Sequence, residues 1–149
     1  MHSSIYRVTV EFGDCDPARI VFYPNYTRWI DSSTRHLFVS YGAAWEAQAE
    51  QYGILGMPLV EVSIKFLNPA TFGEHLEIES HISEMARKTF AVEHEVRRGA
   101  TVLAQGREVR IFGIPHPEDS RRIKAMTIPD HFPELLEVTG ATPKRAIDN

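Results

Sequence analysis

A single stripe of apolar residues at helical spacing constrains the fold of this chain more than any other feature. It begins just after Pro24, which suits the first position of a helix, and it stops at Gly42, a residue favoured where helices end. Apolar side chains that recur every three or four residues predict one helix with a single buried face. The stripe consists of Tyr26, Trp29, Ile30, Ser33, Leu37, Phe38 and Tyr41. The rest of the chain must supply the surface that covers this face.

Segments in which apolar and polar residues alternate lie on both sides of the helix, and such alternation predicts half-buried strands. The first, Tyr6 to Phe12, ends at Gly13. The others come after a shorter predicted helix, Ala43 to Tyr52, and lie at residues 60–66, 76–82, 90–96 and 102–112, with a short extra strand at 123–128. This order predicts an α+β fold in which the long helix covers one face of a curled antiparallel sheet.

Two details of the strands carry further expectations. Within residues 102–112 the apolar positions change from even to odd numbers around Gly106, which predicts a bulge there. His94 falls on the apolar face of its strand. A curled sheet also leaves long edges unpaired, so pairing with a second copy of the chain is expected.

Composition limits the class of protein. With 149 residues, of which 43% are hydrophobic, the chain reads as one globular domain over residues 1–138 and a loosely ordered tail over 139–149. A net charge of -4 argues against a nucleic-acid binder. The one cysteine, Cys15, excludes an internal disulfide and fits the cytoplasm. No secretory signal is present, and no apolar run approaches the roughly 18 residues of a membrane span, so neither secretion nor membrane insertion is expected.

The connection between the first strand and the long helix holds the main candidates for catalysis. Asp16 lies just ahead of the helix, where an ionised carboxylate can attack a carbonyl or activate water. The backbone N–H of Tyr23 lies where the helix starts and can hold a developing oxyanion, since Pro24 has no N–H. Each residue also has a plain alternative: Asp16 as a turn former before Pro17, and Tyr23 as an ordinary helix start with its ring packed on the core. The pair suits acyl transfer or hydrolysis.

Local basic residues point to a small anionic ligand. Arg87 and Lys88 lie at a strand junction and can grip phosphates, although a solvated strand start explains them nearly as well. Arg110 is a weaker candidate, because charges that alternate along a strand are ordinary. On the helix, Asp31 is a competing carboxylate whose plainer explanation is a solvated or ion-paired group. The sequence lacks the short motifs of serine hydrolases, zincins, dinucleotide-binding proteins and P-loop NTPases.

The sequence resembles the hotdog-fold acyl-CoA thioesterases, and most closely the 4-hydroxybenzoyl-CoA thioesterase group. The likeness lies in Glu11–Ala18, Ile20–Tyr26 and Arg28–Asp31, and it continues through Ala86–Phe90 and Glu108–Phe112. It implies a hotdog fold, in which a five-stranded antiparallel sheet wraps a long central helix, and a dimer that often pairs into a tetramer. It also implies an acyl-CoA substrate and no metal or cofactor.

The resemblance assigns roles to particular residues. Asp16 matches the catalytic carboxylate, and the N–H of Tyr23 matches the group that polarises the thioester carbonyl. The positions of Arg87, Lys88 and Arg110 match basic residues suited to the CoA phosphates. These roles describe hydrolysis of an acyl-CoA thioester, such as an aromatic one, with Asp16 as nucleophile or general base.

Two positions depart from the family pattern, and two other functions stay open. Arg19 stands where the family has glycine, and Ala86 stands where the hydroxybenzoyl enzyme has a basic residue. Hydration of an enoyl thioester is one alternative, but the similar hydratases carry a histidine where this chain has Arg19, which cannot act as a base. A non-catalytic protein that binds acyl-CoA or acyl-carrier thioesters is the other.

Overall fold

The computed structural model describes residues 2–132 and consists of two helices and one antiparallel sheet. The helices are α1 (Pro24–Ser40) and α2 (Trp45–Tyr52). The strands are β1 (Ser4–Thr9), β2 (Leu59–Phe66), β3 (His75–Met85), β4 (Thr89–Arg98), β5 (Thr101–Pro115) and β6 (Ile123–Met126). Five strands form the path β1-β3-β4-β5-β2, and β6 pairs with the end of β5. The described sheet thus has six strands, one more than the resemblance implied.

Helix α1 buries the predicted stripe. Its buried residues are Tyr26, Trp29, Ile30, Ser33, Thr34, Leu37 and Phe38. The apolar ones divide between two clusters, one around Ile30 and Leu103 and the other around Phe38 and Phe112. Since burial of one large apolar side chain contributes about 1.5–3 kcal/mol, this face anchors α1 against the sheet.

The expected bulge at Gly106 is absent, and the prediction was wrong. Gly106 pairs regularly with His94 on β4 and with Ile64 on β2. The buried face of β5 consists of the even-numbered residues from Ala104 to Phe112. Two of them, Glu108 and Arg110, are charged, so a search for apolar residues alone did not identify them as buried. An added Cβ at Gly106 would lie 3.4 Å from Cδ1 of Ile30 on α1, which is an ordinary van der Waals contact.

Strand β2 lies at one edge of the sheet and is the most exposed of the long strands. Val60 is 61% exposed, Val62 43% and Phe66 49%, although their alternation predicts a buried face. The two helices of the described residues are too short and too polar to cross a membrane. The predicted helical turn at 133–138, the tail from 139 and the boundary between them lie outside the described residues.

Candidate active site

A tight turn places Asp16 between β1 and α1. The backbone N–H of Asp16 donates to the carbonyl of Ile20 at 2.9 Å, and the N–H of Arg19 donates to the carbonyl of Asp16 at 2.9 Å. Below them, Cys15 and Val21 form an antiparallel bridge. The chain therefore enters and leaves the turn side by side, and Asp16 lies at its tip.

Only one of the two carboxylate oxygens of Asp16 takes part in this turn. Its Oδ1 accepts a hydrogen bond from the N–H of Ala18 at 2.8 Å, the geometry expected of a turn aspartate. No donor in residues 2–132 reaches Oδ2. Asp16 also lines a cavity of about 530 Å³, whose walls include Phe12, Cys15 and Phe72. One oxygen of Asp16 thus shapes the loop, and the other has no partner among the described residues.

Tyr23 begins α1 with an unused N–H. Its φ of -53° and ψ of -32° are already helical, and Pro24 follows at the first helical position. The N–H of Tyr23 finds no acceptor among the described residues. The side chain is 64% exposed, so the plain alternative of a ring packed on the core is wrong. What Tyr23 offers is a backbone donor at the positive end of the helix dipole.

Asp14 ties the loop of Asp16 to the first turn of α1. Its carbonyl accepts hydrogen bonds from the N–H of Phe22 at 2.8 Å and from Nδ2 of Asn25 at 2.9 Å. Its buried carboxylate accepts from Nη2 of Arg28 at 3.1 Å and from the N–H of Glu11 at 2.8 Å. The bonds to Phe22, Asn25 and Arg28 fix the position of the loop relative to the helix start.

The predicted phosphate-binding residues separate into two environments. Arg87 and Lys88 are exposed in the link between β3 and β4. Their side chains make no ion pair with any described residue, and they do not line the cavity of Asp16. They are free to meet an anion that approaches from solvent.

Arg110 is placed differently, and its predicted contact with CoA phosphates is not favoured. It is 8% exposed, and its Nη2 donates to Oε2 of Glu108 at 2.5 Å and to Oδ1 of Asp31 at 2.6 Å. Its Nη1 donates to the carbonyl of Met57 at 2.8 Å. Two carboxylates already balance the guanidinium charge, so a phosphate would have to displace them. The same contact shows that Asp31 is ion-paired, as the plainer explanation of this residue predicted.

A buried polar cluster joins Arg110 to the centre of the molecule. Nε2 of His94 lies 2.9 Å from Oε1 of Glu108, and Nδ1 lies 2.6 Å from the hydroxyl of Ser80. Thr34 also donates to Oε1 of Glu108, and this carboxylate is fully buried. Burial alone raises the pKa of Glu108, but hydrogen bonds from His94 and the charge of Arg110 outweigh it and leave that pKa below its usual value.

Sequence patterns did not reveal this cluster. His94 lies on the buried face of β4 as predicted, but Arg110, which was expected to be one of the ordinary alternating charges of a strand, also points inward, with Glu108 between them. The sequence did contain a sign of this cluster: Glu108 and Arg110 lie at even-numbered positions of β5, as do the buried residues Ala104 and Phe112. At the end near α2, Arg110 and Asp31 line a second cavity of about 220 Å³.

Known proteins share this fold and much of this sequence. A family model described as the thioesterase-like superfamily matches residues 10–136. The 4-hydroxybenzoyl-CoA thioesterase of Pseudomonas sp. (strain CBS-3) is 36% identical over 132 residues, which cover 85% of this chain and 92% of that protein. Its solved structure superposes with a TM-score of 0.81 at 35% identity and covers 91% of this chain and 99% of that one.

Two further solved structures extend the comparison. A mutant 4-hydroxybenzoyl-CoA thioesterase in complex with 4-hydroxybenzoyl-CoA has a TM-score of 0.81 at 34% identity, over 90% of this chain and 98% of that one. The gentisyl-coenzyme A thioesterase BH1999 has a TM-score of 0.74 at 31% identity, over 90% and 99%. The antiparallel sheet and two helices described above are the hotdog-like thioesterase fold. Its fold and its sequence together show that the chain belongs to the thioesterase-like superfamily.

Proposed function

We propose that this chain hydrolyses an acyl-CoA thioester with an aromatic acyl group, of which 4-hydroxybenzoyl is the model, to the free acid and CoA. The observation that carries the proposal is the pair of unused groups on one short loop. Oδ2 of Asp16 and the N–H of Tyr23 both lack partners in residues 2–132, and the bonds to Asp14 hold the loop against α1. A free carboxylate oxygen and a free backbone donor are what attack on a carbonyl requires.

The two groups divide the chemistry between them. The N–H of Tyr23 donates to the thioester carbonyl oxygen and stabilises the negative charge that develops there. Asp16 either attacks the carbonyl carbon, giving a mixed anhydride that water then cleaves, or takes a proton from the water that attacks. In both routes the carbon–sulfur bond breaks and CoA leaves as the thiolate, which takes up a proton. The reaction consumes only water and needs no metal or cofactor.

The relatives support a CoA substrate with an aromatic acyl group. Those that are more than 30% identical are named for 4-hydroxybenzoyl-CoA and gentisyl-coenzyme A. The exposed cations of Arg87 and Lys88 suit the CoA phosphates, as charge-assisted hydrogen bonds to phosphate are strong. Hydration of an enoyl thioester is less favoured, because Arg19 supplies no base beside Asp16.

The proposal includes an assembly and a compartment. An exposed apolar edge strand, β2, is the surface through which two protomers would continue one sheet, and such dimers would pair into a tetramer. The free thiol of Cys15 suits the reducing cytoplasm, where we place the enzyme.

Replacement of Asp16 tests the proposed function. With benzoyl-, 4-hydroxybenzoyl-, phenylacetyl- and straight-chain CoA esters, thiol release by Asp16→Asn should fall at least about 10²-fold. Glu77→Gln, which also replaces a carboxylate by an amide but at an exposed position of β3, should keep wild-type rates. Circular dichroism and Tm show whether both variants are folded. Near wild-type turnover by a folded Asp16→Asn would refute the role of Asp16.

A further inference from the structure

Arg19 holds a backbone conformation that side chains other than glycine rarely adopt. Its φ is +65°, and it is the one residue other than glycine with positive φ in the described part of the chain. The left-handed region brings Cβ close to the following carbonyl oxygen, which costs conformational free energy. The sequence nevertheless has arginine there, three residues after Asp16.

The hydrogen bonds of the turn impose this conformation. The N–H of Arg19 donates to the carbonyl of Asp16 at 2.9 Å, and the carbonyl of Arg19 accepts from the hydroxyl of Thr71 at 2.7 Å. With the bond from Asp16 to Ile20, they fix both sides of residue 19. The backbone would therefore be served better by glycine, and the arginine side chain needs another explanation.

The side chain lies where it can meet a ligand. Arg19 lines the same cavity as Asp16, with Phe12 and Phe72 as apolar walls. The two phenylalanine rings meet edge to face with centroids 5.8 Å apart. The guanidinium of Arg19 makes no ion pair and no hydrogen bond within residues 2–132. An unpaired cation thus stands in a cavity whose volume suits a small ligand.

We infer that Arg19 binds a carboxylate carried by the acyl group of the substrate, so that this enzyme selects acyl thioesters with a second, anionic end. The inference rests on the proposed function and names its substrate class. The planar guanidinium can hold a carboxylate through two parallel hydrogen bonds.

Two other anions fit the position less well. The oxyanion of the reaction is assigned to the N–H of Tyr23, so it already has a donor other than Arg19. The CoA phosphates are separated from the thioester by the whole pantetheine arm, whereas Arg19 is only three residues from Asp16. The anion must therefore lie on the acyl side, close to the reacting carbonyl.

Matched substrate pairs test the inference. Each pair differs only in a carboxylate or a methyl group at the far end: glutaryl-CoA with pentanoyl-CoA, and 4-carboxybenzoyl-CoA with 4-methylbenzoyl-CoA. The wild-type enzyme should prefer the carboxylate member of at least one pair by about tenfold or more in kcat/KM, the size of one charge-assisted hydrogen bond. Arg19→Gln should abolish that preference through KM and leave the methyl member within about twofold. Arg7→Gln, which removes an exposed arginine on β1, should behave as wild type.

A second set of substrates identifies the anion. The same acyl groups on N-acetylcysteamine carry no phosphate, so the preference and its loss in Arg19→Gln should persist. If the effect of Arg19→Gln appears only with CoA esters, the anion is a phosphate and the inference is overturned. Equal losses on both members of every pair would overturn it too, since they would indicate a general role in the reaction.

A further experiment distinguishes a failure of this inference from a failure of the proposed function. Titration of the pairs into Asp16→Asn measures binding without turnover, and Arg19→Gln in that background should remove the preference for the carboxylate. Binding without preference overturns the inference and leaves hydrolysis intact, whereas full turnover by Asp16→Asn refutes the mechanism and leaves the binding result standing. Arg19→Gly should raise Tm by a few degrees while it loses the preference, because glycine relieves the backbone.

Discussion

At the scale of single residues, the candidate site uses a backbone atom as well as a side chain. The ring of Tyr23 is exposed, and its N–H is the unpaired donor at the start of α1. Ordinary substitutions at position 23 keep this N–H and change only the ring. Proline is the exception, since it removes the N–H and requires a φ near -65°, close to the -53° of Tyr23.

Tyr23→Pro should therefore lower kcat/KM by about 10²–10³-fold, the cost of one oxyanion donor. Tyr23→Ala keeps the donor and should stay within about threefold of wild type. The measurement is thiol release from a CoA ester that the wild type hydrolyses, with circular dichroism to confirm that both variants fold. Equal activities in the two folded variants would show that the N–H of Tyr23 does not act on the carbonyl.

The residues of this loop could be predicted from sequence because their relation is local. Asp16 and Tyr23 are seven positions apart, and both belong to one connection between a strand and a helix. Arg110 could not be assigned in this way. Its partners Asp31 and Met57 come from α1 and from the link before β2, and only the folded chain brings them together.

At the scale of elements, the buried cluster joins α1 to three central strands. Its members are Thr34 and Asp31 from α1, Ser80 from β3, His94 from β4, and Glu108 and Arg110 from β5. Alternation along the sequence predicted the strands, but it failed at Gly106 because it treats every inward position as apolar. Buried charged residues that neutralise one another are exceptions to this rule. A single sequence does not show which elements will bring such residues together.

Removal of the Glu108 carboxylate should destabilise the protein strongly. Glu108→Gln leaves the buried guanidinium of Arg110 with one carboxylate fewer, and loss of one partner from a buried pair costs about 3–5 kcal/mol. Glu77→Gln, which breaks the exposed pair with Arg7, should cost at most about 1 kcal/mol. Urea unfolding at pH 7 measures both. Similar small losses would show that the buried pair contributes little.

The same variant has a defined pH dependence. The pKa of Glu108 lies below its usual value in the folded protein, so its ionised form stabilises the fold at every pH above the unfolded pKa of about 4.3. This contribution is lost as the pH falls through the lower, folded pKa. The difference in free energy of unfolding between wild type and Glu108→Gln should stay constant from about pH 5 to 8 and narrow below about pH 4. A difference that widens in acid would reverse the sign of the pKa shift.

At the scale of the whole molecule, the edge strand β2 exposes apolar side chains to solvent. The positions of the strands and the buried stripe of α1 follow from periodicity, which depends only on a protomer's own core. The apolar alternation of β2 follows the same rule, yet its side chains are exposed in the single chain. An exposed apolar edge strand invites association, so a second protomer is the physical explanation of this pattern.

The proposed dimer can be tested on its own edge. Lysines at both positions in Val60→Lys/Val62→Lys should place charges along β2 and prevent two sheets from joining, so the mass in solution should fall to that of one protomer. Ile5→Lys makes the same change on β1, the opposite edge, where Ile5 is 41% exposed, and should leave the assembly intact. Light scattering coupled to size-exclusion chromatography measures each mass, and circular dichroism confirms folding. A wild-type monomer would refute the proposed dimer. An assembly that survives the β2 lysines and dissociates with Ile5→Lys would place the interface on β1.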